Sequence, residues 1–397
     1  MTSISPIQPK LLSRINERLV MRVIREKGPL TRAEMSKSIG ITFPTVNKAV
    51  ASLLDSNLLE EVEDVPTGPG RPAKRLRLAS ENSQVIGVTL SEAECVVAAA
   101  ALDGVISKGC TSSFPTPSSY DSLLVSITRH AQQWMLTGEI NTLCLGICIP
   151  GIVDYQEQRA VMSANLPMIN GKSIGRDVQN LLGVECLILR DAHAFSLSER
   201  MLHTNGEAVS NVAMLDHSEG IGLGLMVDNQ FLTGNNGFAG ELGHMTIDPH
   251  GKRCHCGKQG CLETVASEWA LEEHASHLLG RTLHMEEILT LAKQGDKQLA
   301  EALETMCDQL ALGVASVVNI FNPGRFYIYG RSFKALPHLL DLLVERTRQY
   351  SLEPSFAACE FAPASGGELD GTIACLVNYL TDSLVPDLDD YVKLAKT

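Results

Sequence analysis

Cys254, Cys256 and Cys261, with His244 upstream, bring three thiols and one imidazole into eighteen positions of a 397-residue chain. Thiolate sulfur and imidazole nitrogen are the donors that close a tetrahedral zinc site, and the C-x-C-x4-C spacing plus one histidine completes a set of four. Four protein donors leave no coordination position for water, so such a zinc, one per chain, is structural rather than hydrolytic. Gly257 and Gly260 let the backbone turn tightly enough for Cys261 to meet the ion held by Cys254 and Cys256. Reduced cysteine also packs as a small hydrophobe. This stretch is polar, however, with Lys252, Arg253 and Lys258 among the thiols, and acids flank it at Glu241 and Glu263.

The elements that must position this loop alternate. Residues 85–90 and 95–102 read as a hairpin of buried strands, with Asp103-Gly104 as the next turn. Residues 143–149, 187–189 and 212–215 read as further strands, and 267–280, 284–294, 297–320 and 333–350 as helices. Such alternation implies an α/β protein with layered sheets. A chain this long exceeds one hydrophobic core, so several domains are expected. The pattern separates a head at 1–80 from the α/β remainder, which carries the metal loop.

The head reads differently. Leu19, Val20, Val23 and Ile24 share one face of a helix over 16–27, which Gly28-Pro29 stops. Thr31 is placed to cap a second helix, 32–39, with Glu34 at the capping-box position, and Gly40 suits a tight turn. A third helix follows over 42–54 with Pro44 in its first turn. Strands at 58–62 and 75–78 flank a turn at 68–72. This order predicts a winged helix-turn-helix. Residues 1–80 hold 13 Lys and Arg against 8 Asp and Glu, whereas the remainder hold 20 against 38. A basic head on an acidic body points to double-stranded DNA as the partner of the head alone. Thr42, Thr45, Asn47 and Lys48 open the third helix, where side chains reach base edges in the major groove. Arg71, Lys74 and Arg75 on the wing are candidates for phosphate or the minor groove.

The rest of the composition excludes several classes. The longest apolar run is eight residues, against about 20 for a membrane span, so no membrane insertion is expected. The N-terminus has no apolar signal region. Eleven scattered cysteines, an odd number, do not form a disulfide framework, so a cytoplasmic protein is expected, on the nucleoid when DNA-bound.

Glu241-x-Gly243-His244, followed by Cys254-x-Cys256-Gly257-x-x-Gly260-Cys261-x-Glu263, resembles the diagnostic segment of the ROK family of bacterial sugar kinases and sugar-responsive repressors. The resemblance runs from about Ile86 to the C-terminus, and the head resembles that of the repressor branch. It implies a two-lobed actin/hexokinase-like fold behind the winged helix, with a first α/β lobe at 81–190 completed by 378–397 and a second α/β lobe at 191–377 that carries the metal loop and a dimerisation surface. It also implies that Asn165, Glu241, His244 and Glu263 bind sugar hydroxyls, and that Asp191 stands where the kinases have their catalytic base. Arg190 stands where those kinases usually have an asparagine that contacts sugar.

The nucleotide side departs from the family's pattern. Val88-Thr89-Leu90-Ser91-Glu92-Ala93 replaces the Asp-x-Gly-Gly-Thr loop, Ser218-Glu219 replaces Gly-Thr before Gly220, Gly222 and Gly224, and Arg331 follows Gly330 in place of a second glycine. Glu92 would repel phosphate. Together these departures argue against ATP binding and leave Asp191 as a vestigial base and a sugar ligand. The expectation is a sugar-responsive regulator, a repressor of carbohydrate genes, acting as a homodimer or dimer of dimers on operator DNA. The alternative is an active ATP-dependent sugar kinase with a DNA-binding appendage.

Overall fold

The computed structural model describes residues 9–62, 74–135, 140–155, 157–163, 165–202, 209–228 and 230–381. In chain order the head contains α1 (Pro9–Lys27), α2 (Arg32–Ile39), α3 (Phe43–Asp55), β1 (Leu59–Val62) and β2 (Arg75–Leu78). Then come β3 (Ser83–Leu90), β4 (Glu94–Ala101), β5 (Ile106–Pro115), α4 (Tyr120–Met135), β6 (Asn141–Ile149), β7 (Ile152–Asp154), β8 (Arg159–Met162), α5 (Ile174–Leu182) and β9 (Cys186–Arg190). After them lie α6 (Asp191–Leu202), β10 (Val212–His217), β11 (Ile221–Val227), β12 (Gln230–Phe231), α7 (Glu263–Ala266), α8 (Glu268–Leu279), α9 (Met285–Lys293) and α10 (Lys297–Phe321). The chain closes with β13 (Arg325–Tyr329), α11 (Arg331–Ala335), α12 (His338–Tyr350), α13 (Glu353–Ala357), β14 (Glu360–Pro363) and α14 (Glu368–Thr381).

These elements form two compact units. One comprises residues 1–147, 173–188 and 372–397, and the other 148–172 and 189–371. The sequence boundaries put 148–172 with the first lobe, whereas the structure puts it with the second unit. The reason is local packing: the Tyr155 hydroxyl lies 2.7 Å from His193 Nδ1, and Gly237 sits against Val153 and Tyr155. The first unit's body is a sheet in the order β5-β4-β3-β6-β9, with β3 buried along its whole length. The second unit's sheet runs β12-β11-β10-β13-β14, with β10, β13 and β14 parallel and β11 antiparallel to β10. α10 buries twelve residues of one broad face in that unit's core.

The head follows the expected local chemistry. Thr31 and Glu34 form the reciprocal capping box, and Gly40 ends α2 at φ +79°, where a side chain would be strained. β1 and β2 pair antiparallel, Leu59 opposite Leu78. The predicted turn at 68–72 lies outside the described residues. One difference concerns 333–350, expected as a single helix: Pro337 lacks the N–H a helix interior needs, and the segment divides into α11 and α12.

The head is not an isolated bead. Its core of Val20, Ile24, Met35, Val46, Val50 and Leu76 continues into Leu102, Leu143 and Leu380 of the same unit. Leu102 N donates to Ala79 O at 3.2 Å, and Ser83 Oγ to Asn57 O at 2.7 Å. Arg25, near the end of α1, donates to Asn378 Oδ1 at 2.9 Å and Thr381 Oγ1 at 3.0 Å on α14, both buried. Removing a charged donor from buried acceptors typically costs about 1.5–3 kcal/mol. Arg25→Ala should therefore destabilise this unit by about that amount, read from the urea midpoint.

Candidate functional site

The cysteine loop folds as a knuckle. Cys254 N donates to Lys258 O at 2.8 Å and Gly257 N to Cys254 O at 2.9 Å, while Arg253 bridges Gln259 and Thr246 bridges Cys261. Gly260 lies at φ +73°, and a Cβ there would fall 1.5 Å from Asp248 O, so only glycine fits. This folding gathers one donor atom each from His244, Cys254, Cys256 and Cys261 within 4.8 Å of one another, a set that can hold a metal ion. Cys256 Sγ and Cys261 Sγ are 3.7 Å apart, and Cys254 Sγ is 3.6 Å from His244 Nδ1. A tetrahedron with metal–sulfur bonds of about 2.3 Å has edges of about 3.7 Å, so the donors fit. Burial pushes the Cys254 thiol up to about 12 and raises that of Cys261.

With Nδ1 turned towards Cys254, His244 has its Nε2 4.0 Å from Glu241 Oε2. The knuckle thus leads directly to the acids. Glu263, at the start of α7, has Oε1 3.9 Å from Cys254 Sγ, and its Oε2 accepts from Ile221 N at 3.3 Å. A Cβ at Gly220 or Gly243 would meet that same oxygen at 3.0 Å. Next to Gly220, Glu219 accepts through Oε2 from Asn165 Nδ2 at 3.2 Å. Glu241 is held through Oε1 by Arg190 Nη2 at 2.5 Å. Asp191 follows Arg190 directly and opens α6. All five sequence-predicted sugar residues, Asn165, Asp191, Glu241, His244 and Glu263, belong to the second unit; His244 lies near Glu241, Asn165 meets Glu219, and Asp191 adjoins Arg190 in the chain.

Charge is concentrated here. Desolvation pushes Asp191 up to about 6, with Arg190 pulling the other way. Desolvation and the neighbouring Asp191 push Glu368 up to about 8 and Asp216 well above the usual carboxylate range. On the nucleotide side, Arg331 pairs with the buried Glu268 at 2.5 Å. The glycines of the second loop have packing roles. A Cβ at Gly224 would fall 2.4 Å from Ala192 O and 2.3 Å from Ser196 Oγ, so this glycine seats β11 on α6.

In the head, Thr42, Asn47 and Lys48 are exposed at the start of α3, and Thr42 Oγ1 lies 2.8 Å from Thr45 Oγ1. Arg71 lies outside the described residues. Lys74 pairs with Glu61, and Arg75 donates to Pro29 O at 2.8 Å and meets Glu34 at 3.4 Å. Three residues gain importance that sequence reasoning did not assign. Phe43 is 47% exposed at the first position of α3. Arg190 and Glu219 were visible in the sequence only as departures from the kinase pattern, and their partners depend on tertiary structure.

Two α/β units of this topology, one carrying a Cys/His knuckle joined to a string of acids, define an actin/hexokinase-like protein of the ROK type. The ROK family model matches residues 85–377, and the chain belongs to the ROK family. Its relatives include the xylose repressor of Bacillus subtilis, 25% identical over 361 residues that cover 90% of this chain and 92% of that protein. They also include the transcriptional dual regulator NagC of Escherichia coli, 24% identical over 346 residues, 84% of each chain. A solved ROK transcriptional regulator, described as a homologue of the E. coli Mlc protein, superposes with a TM-score of 0.81 at 24% identity, covering 96% of this chain and 99% of that one. No helix among the described residues is long and apolar enough to cross a membrane.

The raised carboxylates have a consequence for stability. A carboxyl whose folded value lies above its unfolded one binds more protons when folded, so stability is full below the unfolded value and declines as pH rises through the folded one. For Glu368 that window runs from about pH 4.5 to about 8. Glu368→Gln should flatten the pH dependence of the unfolding free energy there by up to about 1.4 kcal/mol per pH unit, measured by urea titration at pH 5, 6, 7 and 8.

Proposed function

We propose that this chain is a sugar-responsive transcriptional regulator, a repressor of carbohydrate genes. Its head, read as a winged helix-turn-helix, binds operator DNA, and its second unit binds a sugar effector without phosphorylating it. The observation that carries this reading is the placement of Asn165, Asp191, Glu241 and Glu263 on one unit, in a chain whose nucleotide loops depart from the family's phosphate-binding pattern. Acceptors of this kind orient hydrogen bonds from neighbouring hydroxyls, and each bond to a charged acceptor is strong. The names of the relatives, a xylose repressor and a DNA-binding transcriptional dual regulator, support a regulator.

ATP chemistry needs backbone donors and a hydroxyl around the β- and γ-phosphates. Here Glu219 stands on the loop that would supply them, and Glu268 and Arg331 pair beside it. Asp191 consequently acts as an acceptor for a ligand hydroxyl. Zinc fits the Cys/His knuckle by donor type and by edge length, and it would fix His244 and Glu263 with respect to Glu241. We read the protein as cytoplasmic and as a homodimer or dimer of dimers, because two heads match two half-sites of a palindromic operator. On this reading Thr42, Thr45, Asn47 and Lys48 meet the major groove, and the wing residues Arg71, Lys74 and Arg75 are the candidates for phosphate or the minor groove.

Two sets of measurements test this reading. Purified protein should contain about one zinc per chain, and Cys256→Ser should release it and weaken the sugar response. Full zinc retention in Cys256→Ser would remove that residue from the ligand set. Separately, Asp191→Asn and Glu241→Gln should each weaken sugar binding by roughly tenfold to a hundredfold while leaving sugar-free operator affinity near wild type. Asn47→Ala should weaken operator binding and relax its base preference without touching the sugar response. Formation of a sugar phosphate from ATP by the wild type, lost in Asp191→Asn, would make the chain a kinase instead.

A further inference from the structure

Phe43 is the first residue of α3 and is 47% exposed. That helix packs into the head through Val46, Ala49, Val50 and Leu53, and Phe43 is not among the described side chains of the cluster they join. Its position carries the ring outward. Helix side chains lean towards the N-terminus, and the first position has no preceding turn for a ring to lie on. Asn47 is exposed as well, and residues four apart are neighbours on a helix surface, so Phe43 and Asn47 share one outward face. A first turn ordinarily favours acids, which the helix dipole stabilises. α3 has none there, and a bulky apolar ring stands at its start instead. Single exposed apolar side chains are common on protein surfaces. This one is set apart by its surroundings: exposed Thr42, Asn47 and Lys48, on a head that carries a net positive charge.

We propose that Phe43 reads a thymine, its ring packing on the 5-methyl group in the major groove beside the base pair that Asn47 meets. The inference rests on the DNA-binding reading above and adds a specificity-determining residue to it. Side chains at the N-terminal end of a recognition helix are the ones that reach base edges. The only methyl group that the four bases present in that groove is thymine's, and an apolar side chain such as phenylalanine is a partner for it. Phe43 has no hydrogen-bonding group. Against any other base edge it would strip water from donors or acceptors and return nothing. The amide at 47 and the ring at 43 are complementary readers. An asparagine amide pairs with adenine N6 and N7, and the ring takes a thymine methyl, so together they favour adjacent A·T pairs. Because the ring carries no charge, this contact sets base preference without changing the number of phosphates neutralised.

The test uses the full-length protein without sugar and DNA duplexes selected from a random pool for binding to it. In the tightest duplex each thymine is replaced in turn by deoxyuridine, which removes the methyl and keeps every hydrogen-bonding group. For the wild type, one such replacement should weaken binding about fourfold, the worth of one buried methyl-sized group. For Phe43→Ala the same replacement should change Kd by less than about twofold, the non-additivity expected of two groups in contact. Phe43→Ala should itself bind the thymine duplex several-fold more weakly with its salt dependence unchanged. Phe43→Leu, which keeps an apolar contact, should retain part of the sensitivity to the methyl. Both variants should melt near the wild-type temperature, because the ring lies outside the head's core. A lowered melting temperature with equal weakening on thymine and deoxyuridine duplexes would make Phe43 a packing residue and overturn the assignment. Equal sensitivity of wild type and Phe43→Ala to every replacement would overturn it as well, as would a duplex in which no thymine methyl matters. Failure to select any duplex would overturn the DNA-binding reading itself, and the thymine contact with it.

Discussion

Gathering Asp191, Glu219, Glu241 and Glu263 on one α/β unit places like charges in desolvated surroundings, and the site depends on how that repulsion is offset. Arg190 is the main counterweight. Buried between β9 and α6, it neutralises Glu241 and ties the carbonyls of Gly237 and Ala239, so one guanidinium fixes both the charge and the course of the segment leading to the knuckle. Arginine suits this because its planar fork serves several acceptors at once, whereas a lysine ammonium is a compact point charge. Burial, with neighbouring like charges adding to it, appears as proton affinity: Asp191, Asp216 and Glu368 all hold their protons to higher pH than exposed acids do.

The Cys/His knuckle solves a different part of the same problem. His244 and Glu263 lie far apart in sequence for a precise pair, and the loop between them has little apolar content to order it. Short-range constraints do the ordering. Gly257 and Gly260 adopt left-handed backbone conformations that other residues rarely take, and two donor pairs of the knuckle, Cys256–Cys261 and Cys254–His244, sit near the edge length of a tetrahedral site. Glu241 faces the imidazole of this cluster on one side and Arg190 on the other, so the acid is oriented from both ends.

Local chemistry made much of this legible in the sequence. Thr31, Glu34 and Gly40 mark the ends of α2 because capping and left-handed geometry are decided within a few residues. The knuckle was legible for the same reason, since its donors fall within one short loop. Contacts between distant segments were not legible. That Arg190 reaches Glu241, that Glu219 reaches Asn165, and that 148–172 packs with the second unit all depend on tertiary folding. Pro337 is an intermediate case: its effect on a helix is local, but the apolar pattern of 333–350 runs smoothly across it.

The glycines after Glu219 show why a motif can outlast its chemistry. Gly220, Gly222 and Gly224 keep the spacing of a phosphate loop, which taken alone would favour a nucleotide. Their surroundings give them other work. Gly220 leaves room for the Glu263 carboxylate, Gly222 lies between Asp216 and Ala192, and Gly224 lets β11 press against the start of α6. A larger residue at 224 would push α6 away and carry Asp191 and Arg190 with it. Selection for a correctly placed acid site is thus enough to preserve these glycines, whether or not a phosphate ever binds there. The hydroxyl and the backbone donors of the phosphate loop have no such second role, and it is there that Glu219 now stands.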